Sequence, residues 1–216
     1  MLTINLSQTN SVASVYLAAL RDISIQKDRF KFRHNLKRLG QLMGYEVSKT
    51  LVYKNEDVQT PLGTASVNLL KSQPVVIAVM RAALPFFEGV LSVFDEADSG
   101  FVGAYRASDF QSSKSINTDY IASGKLTGKT VLLVDPMLAT GNSLLEAIAK
   151  LKDHGKPDKW IVLSVIAAPE GVKNLEENLP EGSTLWCGAI DKGLNEKSYI
   201  VPGLGDAGDL AYGEKI

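Results

Sequence analysis

Unbroken apolar runs constrain this chain more than any other feature. Val75–Met80 is hydrophobic throughout, and Val131–Val134, Trp160–Ala168 and Thr184–Ile190 nearly repeat the pattern. A strand with one face in water alternates apolar and polar residues. An unbroken run marks a strand covered on both faces. Helix-like segments fall between the runs: Phe86–Phe94, and a stretch with Leu144, Leu145, Ile148 and Leu151 on one stripe. Ser99–Tyr105 reads as a further short strand. Strands alternating with helices predict an α/β fold, a mostly parallel sheet flanked by helices. Ligands of such sheets sit beyond the carboxyl ends of the strands. Arg81, Arg106 and Asp135 each directly follow a predicted strand.

The N-terminal third has a different texture. Ser11–Gly44 carries apolar residues at helical spacing, first Val15, Leu17 and Leu20, then Phe32, Leu36, Leu39 and Leu42. This predicts two helices, with Asp28 as N-cap of the second. Lys27, Arg29, Lys31, Arg33, Lys37 and Arg38 make that helix basic, which suits a solvated face or a dimer rim. Arg21 and Arg29 are candidates to reach a neighbouring site or a nucleotide effector. Val47–Leu70 reads as an irregular strand or loop region broken at Pro61-Leu62-Gly63. Ala107–Lys125 is polar and Ser-rich, and reads as a surface loop, a twisted hairpin, or an arm that closes over a site.

Composition removes several function classes. The net charge is −1, with 45% hydrophobic and 22% charged residues, so no global field draws the chain to nucleic acid or to an anionic membrane. No apolar run approaches the roughly 18 residues of a membrane span. Cys187 is the single cysteine and His34 and His154 the two histidines, which argues against a disulfide framework or a His/Cys metal cage. Cys187 lies in an apolar strand context and is expected to be buried and inert. The opening residues lack a basic start and an apolar core, so the expectation is a cytoplasmic protein.

The densest chemistry is Val131–Leu151: a strand, a short Gly/Ser/Thr turn, and an amphipathic helix. The turn Leu138–Ser143 offers free N–H groups at a helix N-terminus, where anions are favoured. Gly141 permits close backbone approach. Thr140 and Ser143 add hydroxyls, and Gly155 is a helix stop. Asp135, at the strand's end, can meet a ribose hydroxyl or a bound Mg²⁺. Walker A and dinucleotide fingerprints are both absent. The alternatives on spacing alone are a sugar-phosphate site and an ordinary βα turn with a capping Ser.

Val134–Ser143 (VDPMLATGNS) resembles the phosphoribosyl-pyrophosphate (PRPP) motif of uracil phosphoribosyltransferases, with Pro136 where many other phosphoribosyltransferases carry a second acid. The resemblance continues at Ala167–Pro180, at Ile190–Asp209 and, more loosely, at Val79–Leu91. It implies a phosphoribosyltransferase-like fold with an N-terminal helical extension and a C-terminal hood. Residues 1–216 would form a single domain: 1–72 the extension and part of the hood, 73–180 the core, 181–216 the last core strand and the base-recognition hood. It implies transfer of phosphoribosyl from PRPP to uracil, giving UMP and pyrophosphate. Asp135, Pro136, Met137, Leu138, Ala139, Thr140, Gly141, Asn142 and Ser143 would hold the ribose hydroxyls and the 5-phosphate. Arg81 and Arg106 would contact pyrophosphate, which a planar guanidinium suits. Ile200, Gly205, Asp206 and Ala207 would bind uracil, and Asp206 would also lie beside PRPP. Asp135, Arg81, Arg106 and Asp206 are the implied catalytic set, with Mg²⁺ bound mainly through PRPP. A homodimer is implied too.

The tail supports this on its own chemistry. Pro202–Asp209 is too rich in Gly and Pro for a regular helix or strand. Such a loop exposes main-chain N–H and C=O groups that match uracil's edge and mismatch cytosine's. The competing reading is a structural Ω-loop with acidic caps. A phosphoribosyltransferase for another base and a non-catalytic PRPP or UMP sensor are the functional alternatives. The chain departs from the family at Arg81-Ala82-Ala83-Leu84-Pro85, where Arg-Ala-Gly-Leu-Gly is usual, and at Asn142, where Gly is usual. A positive φ at Ala83 would carry a steric cost, and Pro85 lacks an N–H. Asn142 would tolerate a left-handed conformation better than most residues. His34 and His154 lie outside the motifs. The uracil proton would go to a bound oxygen, to Asp206 or Asp209, or to water.

Overall fold

The computed structural model describes residues 1–106 and 116–214, with 104–106 and 116–119 described as backbone only. In chain order the elements are β1 (Leu2–Asn5), α1 (Ala13–Arg21), α2 (Arg29–Ser48), β2 (Tyr53–Thr60), β3 (Gly63–Leu70), β4 (Val75–Met80), α3 (Leu84–Leu91), β5 (Asp98–Arg106) and β6 (Ile116–Ala122). There follow β7 (Thr130–Val134), β8 (Met137–Leu138), α4 (Asn142–Leu151), β9 (Lys159–Ala167), α5 (Pro169–Asn178), β10 (Thr184–Ile190), β11 (Gly193–Leu194), β12 (Ile200–Val201) and α6 (Ala207–Tyr212).

The main sheet runs β1-β10-β9-β7-β4-β5-β6, with β8 added beside β9. Every pairing in it is parallel except β5 with β6. The apolar runs are its central strands, and their side chains alternate between two cores. Val76, Ala78, Leu132, Val134, Ile161 and Leu163 face α1, α2 and α3. Val75, Ile77, Val79, Val131, Leu133 and Val162 face Leu144, Ile148 and Leu151 of α4 and Leu175 of α5. Burying both faces is why these strands lack polar alternation.

The two N-terminal helices form as the spacing predicts. Asp28 caps α2, its Oδ1 accepting from the Lys31 N–H at 3.1 Å. Other elements differ from expectation. Leu2–Asn5 joins the sheet as an edge strand paired with Thr184–Cys187. The Val47–Leu70 stretch begins as the last turn of α2 and then forms a β2–β3 hairpin, closed by Thr60 opposite Gly63. Pro61 and Leu62 are its two-residue turn rather than a break in a strand. Within Ala107–Lys125, residues 116–122 form β6 against β5, in line with the hairpin reading, while 107–115 lie outside the described residues. The tail is not wholly irregular, because α6 begins at Ala207 and takes in Ala207–Asp209. Asp206 makes this possible: its Oδ1 accepts from the Asp209 N–H at 3.0 Å, a cap strong enough to start a short helix after two glycines. No helix among the described residues is long and apolar enough to cross a membrane.

Candidate active site

Three neighbouring strands, β7, β4 and β5, bring their C-terminal ends together. Asp135 follows β7, Arg81 follows β4, and Arg106 ends β5, its side chain lying outside the described residues. The Asp135-Pro136 step is pinned to β9. The Asp135 N–H donates to the Leu163 carbonyl at 3.1 Å, and Ser164 Oγ donates to the Asp135 carbonyl at 2.7 Å. The Pro136 carbonyl accepts from the N–H groups of Val165 and Ile166, each at 3.1 Å. This position uses only a carbonyl, so proline's missing N–H costs nothing. Asp135 keeps part of its surface open, yet enclosure of its carboxyl pushes the pKa up from 3.8 to about 7. One hydrogen bond from the Met137 N–H, at 3.1 Å, opposes the shift.

The turn beyond Asp135 leads into the N-terminus of α4, where the Asn142 N–H donates to Thr140 Oγ1 at 3.4 Å. Gly141 is the N-cap of α4 with φ +81, and no side-chain cap bond is seen there. A Cβ at Gly141 would crowd the Gly171 carbonyl at 3.3 Å, so the position requires glycine twice over. Met137 and Leu138 form β8, and Ala139 leads into the turn. The turn is held from behind by α5: Asn174 Nδ2 donates to the Thr140 carbonyl at 2.7 Å and to Asn142 Oδ1 at 2.9 Å. Asn174 has no sequence signal of its own beyond lying inside Ala167–Pro180.

Arg81 links the end of β4 to the tail. Its Nη2 donates to Asp209 Oδ1 at 2.7 Å and to the Gly213 carbonyl at 3.0 Å. Its Nε is buried without a partner among the described residues. Gly208 of α6 lies against the guanidinium, a Cβ there standing 3.6 Å from Nε and 3.1 Å from Asp206 Oδ1. Arg81, Asp206 and Asp209 thus share one small region. Asp209 as Arg81's partner was not foreseen. Ala207 is buried at the start of α6, Gly205 has φ +90, and Ile200 packs its side chain into the core. His34 is exposed and stacks on Phe30 at 5.9 Å between centroids, while His154 ends a short 3-10 turn after α4. Arg21 is not free for an effector, because it is paired with Asp191. Cys187 is buried, and burial pushes its thiol up to about 12.

A family model described as uracil phosphoribosyltransferase matches residues 7–214. The chain belongs to the uracil phosphoribosyltransferase family. A uracil phosphoribosyltransferase of Porphyromonas gingivalis is 41% identical over 216 residues, covering 100% of both chains. One from Pyrococcus furiosus is 41% identical over 203 residues, covering 93% of this chain and 85% of its own. Among solved structures, a protein from Aquifex aeolicus superposes with a TM-score of 0.87 at 33% identity, covering 100% of both chains. An orotate phosphoribosyltransferase of Mycobacterium tuberculosis, solved with PRPP, shares the fold at a TM-score of 0.54 and 16% identity, covering 87% and 94% of the two chains.

The departures from the uracil phosphoribosyltransferase pattern are accommodated by the local backbone. Ala83 has φ −69 and ψ −22, an ordinary helical conformation, so the steric cost of a positive φ does not arise. Pro85 sits in the first turn of α3, where an N–H has no intrahelical partner in any case. The positive φ of the phosphate turn falls on Gly141 and not on Asn142. Asn142 instead supplies the oxygen that Asn174 holds.

Proposed function

We propose that this end of the sheet is where the enzyme transfers the phosphoribosyl group of PRPP to uracil, giving UMP and pyrophosphate. The observation that carries the reading is Arg81. It joins the end of β4, beside Asp135, to the Gly205–Ala207 region, and its side chain keeps 32% of its surface open to a pyrophosphate oxygen. Residues Asp135 to Ser143 would hold the ribose hydroxyls and 5-phosphate, N–H groups of the first turn of α4 taking phosphate oxygens. Arg81 and Arg106 would hold pyrophosphate, and Asp206 would border both substrates. Ile200, Gly205, Asp206 and Ala207 would read uracil through main-chain groups.

The C1′–O bond to pyrophosphate breaks as a bond from C1′ to the uracil nitrogen forms, and that nitrogen loses its proton. Positive charge builds on the ribose and negative charge on the leaving oxygens. The Asp135 carboxylate favours the first, and the arginines favour the second. No group of three or more His, Cys, Asp or Glu able to hold a metal occurs among the described residues. This donor set fits Mg²⁺ held mainly by PRPP oxygens, with Asp135 as the nearby carboxylate. There Mg²⁺ would neutralise charge on the departing pyrophosphate.

A panel of labelled bases tests the reaction. Uracil with PRPP is expected to give UMP and pyrophosphate in equal amounts, with cytosine and purines inert. PRPP binding in a calorimeter without pyrophosphate release on adding uracil would identify a sensor instead. Asn174→Ala is expected to raise KM for PRPP roughly 3–10-fold, the loss of about one hydrogen bond's worth of support for the turn, with KM for uracil unchanged.

The same reading takes the chain as a single domain, with residues 1–72 as extension and part of the hood, and places it in the cytoplasm as a homodimer. The β2–β3 hairpin supports the dimer. It presents Val58, Leu62 and Leu69 to solvent, and a two-stranded hairpin alone is marginally stable. Light scattering should give a mass near twice that of the chain.

A further inference from the structure

The segment assigned above to uracil has little regular structure of its own. Gly203 and Gly205 carry φ of +62 and +90, and only β12 and the cap of α6 border the stretch between them. Discrimination by main-chain groups needs those groups held within about 0.5 Å of the productive geometry. What holds them lies outside the pocket. Asp191 follows β10, and its N–H donates to the Ala167 carbonyl at 2.8 Å, fixing it to the end of the sheet. Its Oδ2 accepts from the Gly203 N–H at 2.9 Å. Arg21, the last residue of α1, donates Nη2 to Asp191 Oδ1 at 2.6 Å and Nη1 to Oδ2 at 2.8 Å. The same Nη1 donates to the Gly203 carbonyl at 2.9 Å.

One ion pair therefore grips both main-chain groups of Gly203. Its side chains are only 6% (Asp191) and 23% (Arg21) exposed, so the pair is shielded from solvent competition. One residue on, Gln26 Nε2 donates to the Leu204 carbonyl at 3.0 Å and to the Leu20 carbonyl at 2.8 Å, at the C-terminal end of α1. A Cβ at Gly203 would run into the Ile200 carbonyl, so the turn tolerates no side chain there.

We propose that Arg21, Asp191 and Gln26 are positioning residues for uracil recognition: helix α1 and the sheet end together set the register in which Gly205–Ala207 present their main-chain groups to the base. This rests on the uracil reading above. Nη1 and Nη2 of Arg21 and both carboxylate oxygens of Asp191 are engaged with each other and with Gly203, so they act through the loop and not on substrate. The N-terminal helix becomes part of the specificity machinery although it lies far away in sequence. Lysine cannot replace Arg21 here, because an ammonium lacks the planar fork that bridges both carboxylate oxygens and the carbonyl.

The test compares Arg21→Lys and Asp191→Asn with wild type in steady-state kinetics. Each is expected to raise KM for uracil roughly 10-fold and to lower the preference for uracil over cytosine, with KM for PRPP moving by less than about threefold. The double variant is expected to be no worse than the poorer single variant by more than about threefold, because both changes disrupt one unit. Arg21→Lys keeps the charge and tests the idea if Asp191→Asn does not fold. An unchanged KM for uracil in Arg21→Lys, or equal rises for uracil and PRPP, would overturn the proposal. Hydrogen exchange on wild type with UMP checks the underlying reading separately. Protection of the amides of Gly205, Asp206 and Ala207 supports it, and none overturns it. Protection there with unaltered variant kinetics overturns the positioning role alone.

Discussion

Asp135→Asn should lower kcat/KM for PRPP by roughly 10²–10³-fold while making the free protein more stable at about pH 8. The two effects have one origin. Enclosure by protein raises the Asp135 pKa from 3.8 to about 7, and among its causes only the Met137 N–H opposes the shift. An acid whose folded pKa lies above its unfolded value binds a proton more readily in the native state. Its cost to stability is absent below the unfolded pKa, grows as pH rises towards about 7, and is constant above that. Asparagine does not titrate and keeps an oxygen for the Met137 N–H. The variant's gain in Tm should thus be near zero at about pH 4 and full at about pH 8, where a rise from 3.8 to about 7 is worth about 4 kcal/mol, or on the order of 10 °C. The same burial explains the loss of function. A carboxylate held in a poor solvent is a strong partner for positive charge, whether on Mg²⁺ or on the ribose of the transition state. Melting curves across pH, beside PRPP kinetics, check both halves. A variant less stable than wild type at every pH would make Asp135 a structural residue.

Much of this architecture was legible in the residues because burial imposes a pattern. Val75–Met80 and Thr184–Ile190 match β4 and β10 residue for residue, since strands covered on both faces leave an unbroken apolar run. Asp28 was legible because cap positions admit few residue types, whereas the left-handed position of the turn falls on Gly141 and not on Asn142, where the sequence pattern put it. What escaped notice has weak or non-local causes. The edge strand Leu2–Asn5 is short and has its partner at Thr184–Cys187, at the far end of the chain. The β2–β3 hairpin is exposed on most of both faces, so no alternation survives to announce it. At the site, Arg81 and Asp135 follow their strands as the apolar runs predict, but the residues that support them carry no such signal. Asn174, Asp191 and Arg21 act on main-chain groups of other segments. Such contacts depend on where α1, α5 and β10 pack, and no spacing rule encodes that. The helix at Ala207–Tyr212 was missed for a related reason, because Asp206 reads as a loop acid until its cap bond to Asp209 is seen.

Arg81→Ala should cost roughly 10²–10³-fold in kcat/KM for PRPP, and Asp209→Asn about 10-fold, with no further loss when the second change is added to the first. Arg81 Nη2 is spent on Asp209 at 2.7 Å and on the Gly213 carbonyl at 3.0 Å, while Nε is buried and unpartnered. One part of the guanidinium is thus anchored on α6, while the side chain keeps 32% of its surface open to an incoming phosphate oxygen. Asp209 then orients the arginine and need not touch PRPP itself. The side chains of Arg81 and Asp209 are 32% and 36% exposed, so the pair adds little to stability, and both variants should melt within a few degrees of wild type. Because α6 starts at Ala207, loosening Arg81 also loosens the segment that reads the base. KM for uracil should therefore rise in Arg81→Ala, and should rise less in Arg81→Lys, which can still bond Asp209 but cannot serve both partners at once. A tighter grip on PRPP in Asp209→Asn would show instead that Asp209 competes with pyrophosphate for the arginine. Losses that simply add in the double variant would show that the two side chains act independently. Non-additive losses, with uracil affected through Arg81, would mean that PRPP and base are handled by one connected end of the sheet.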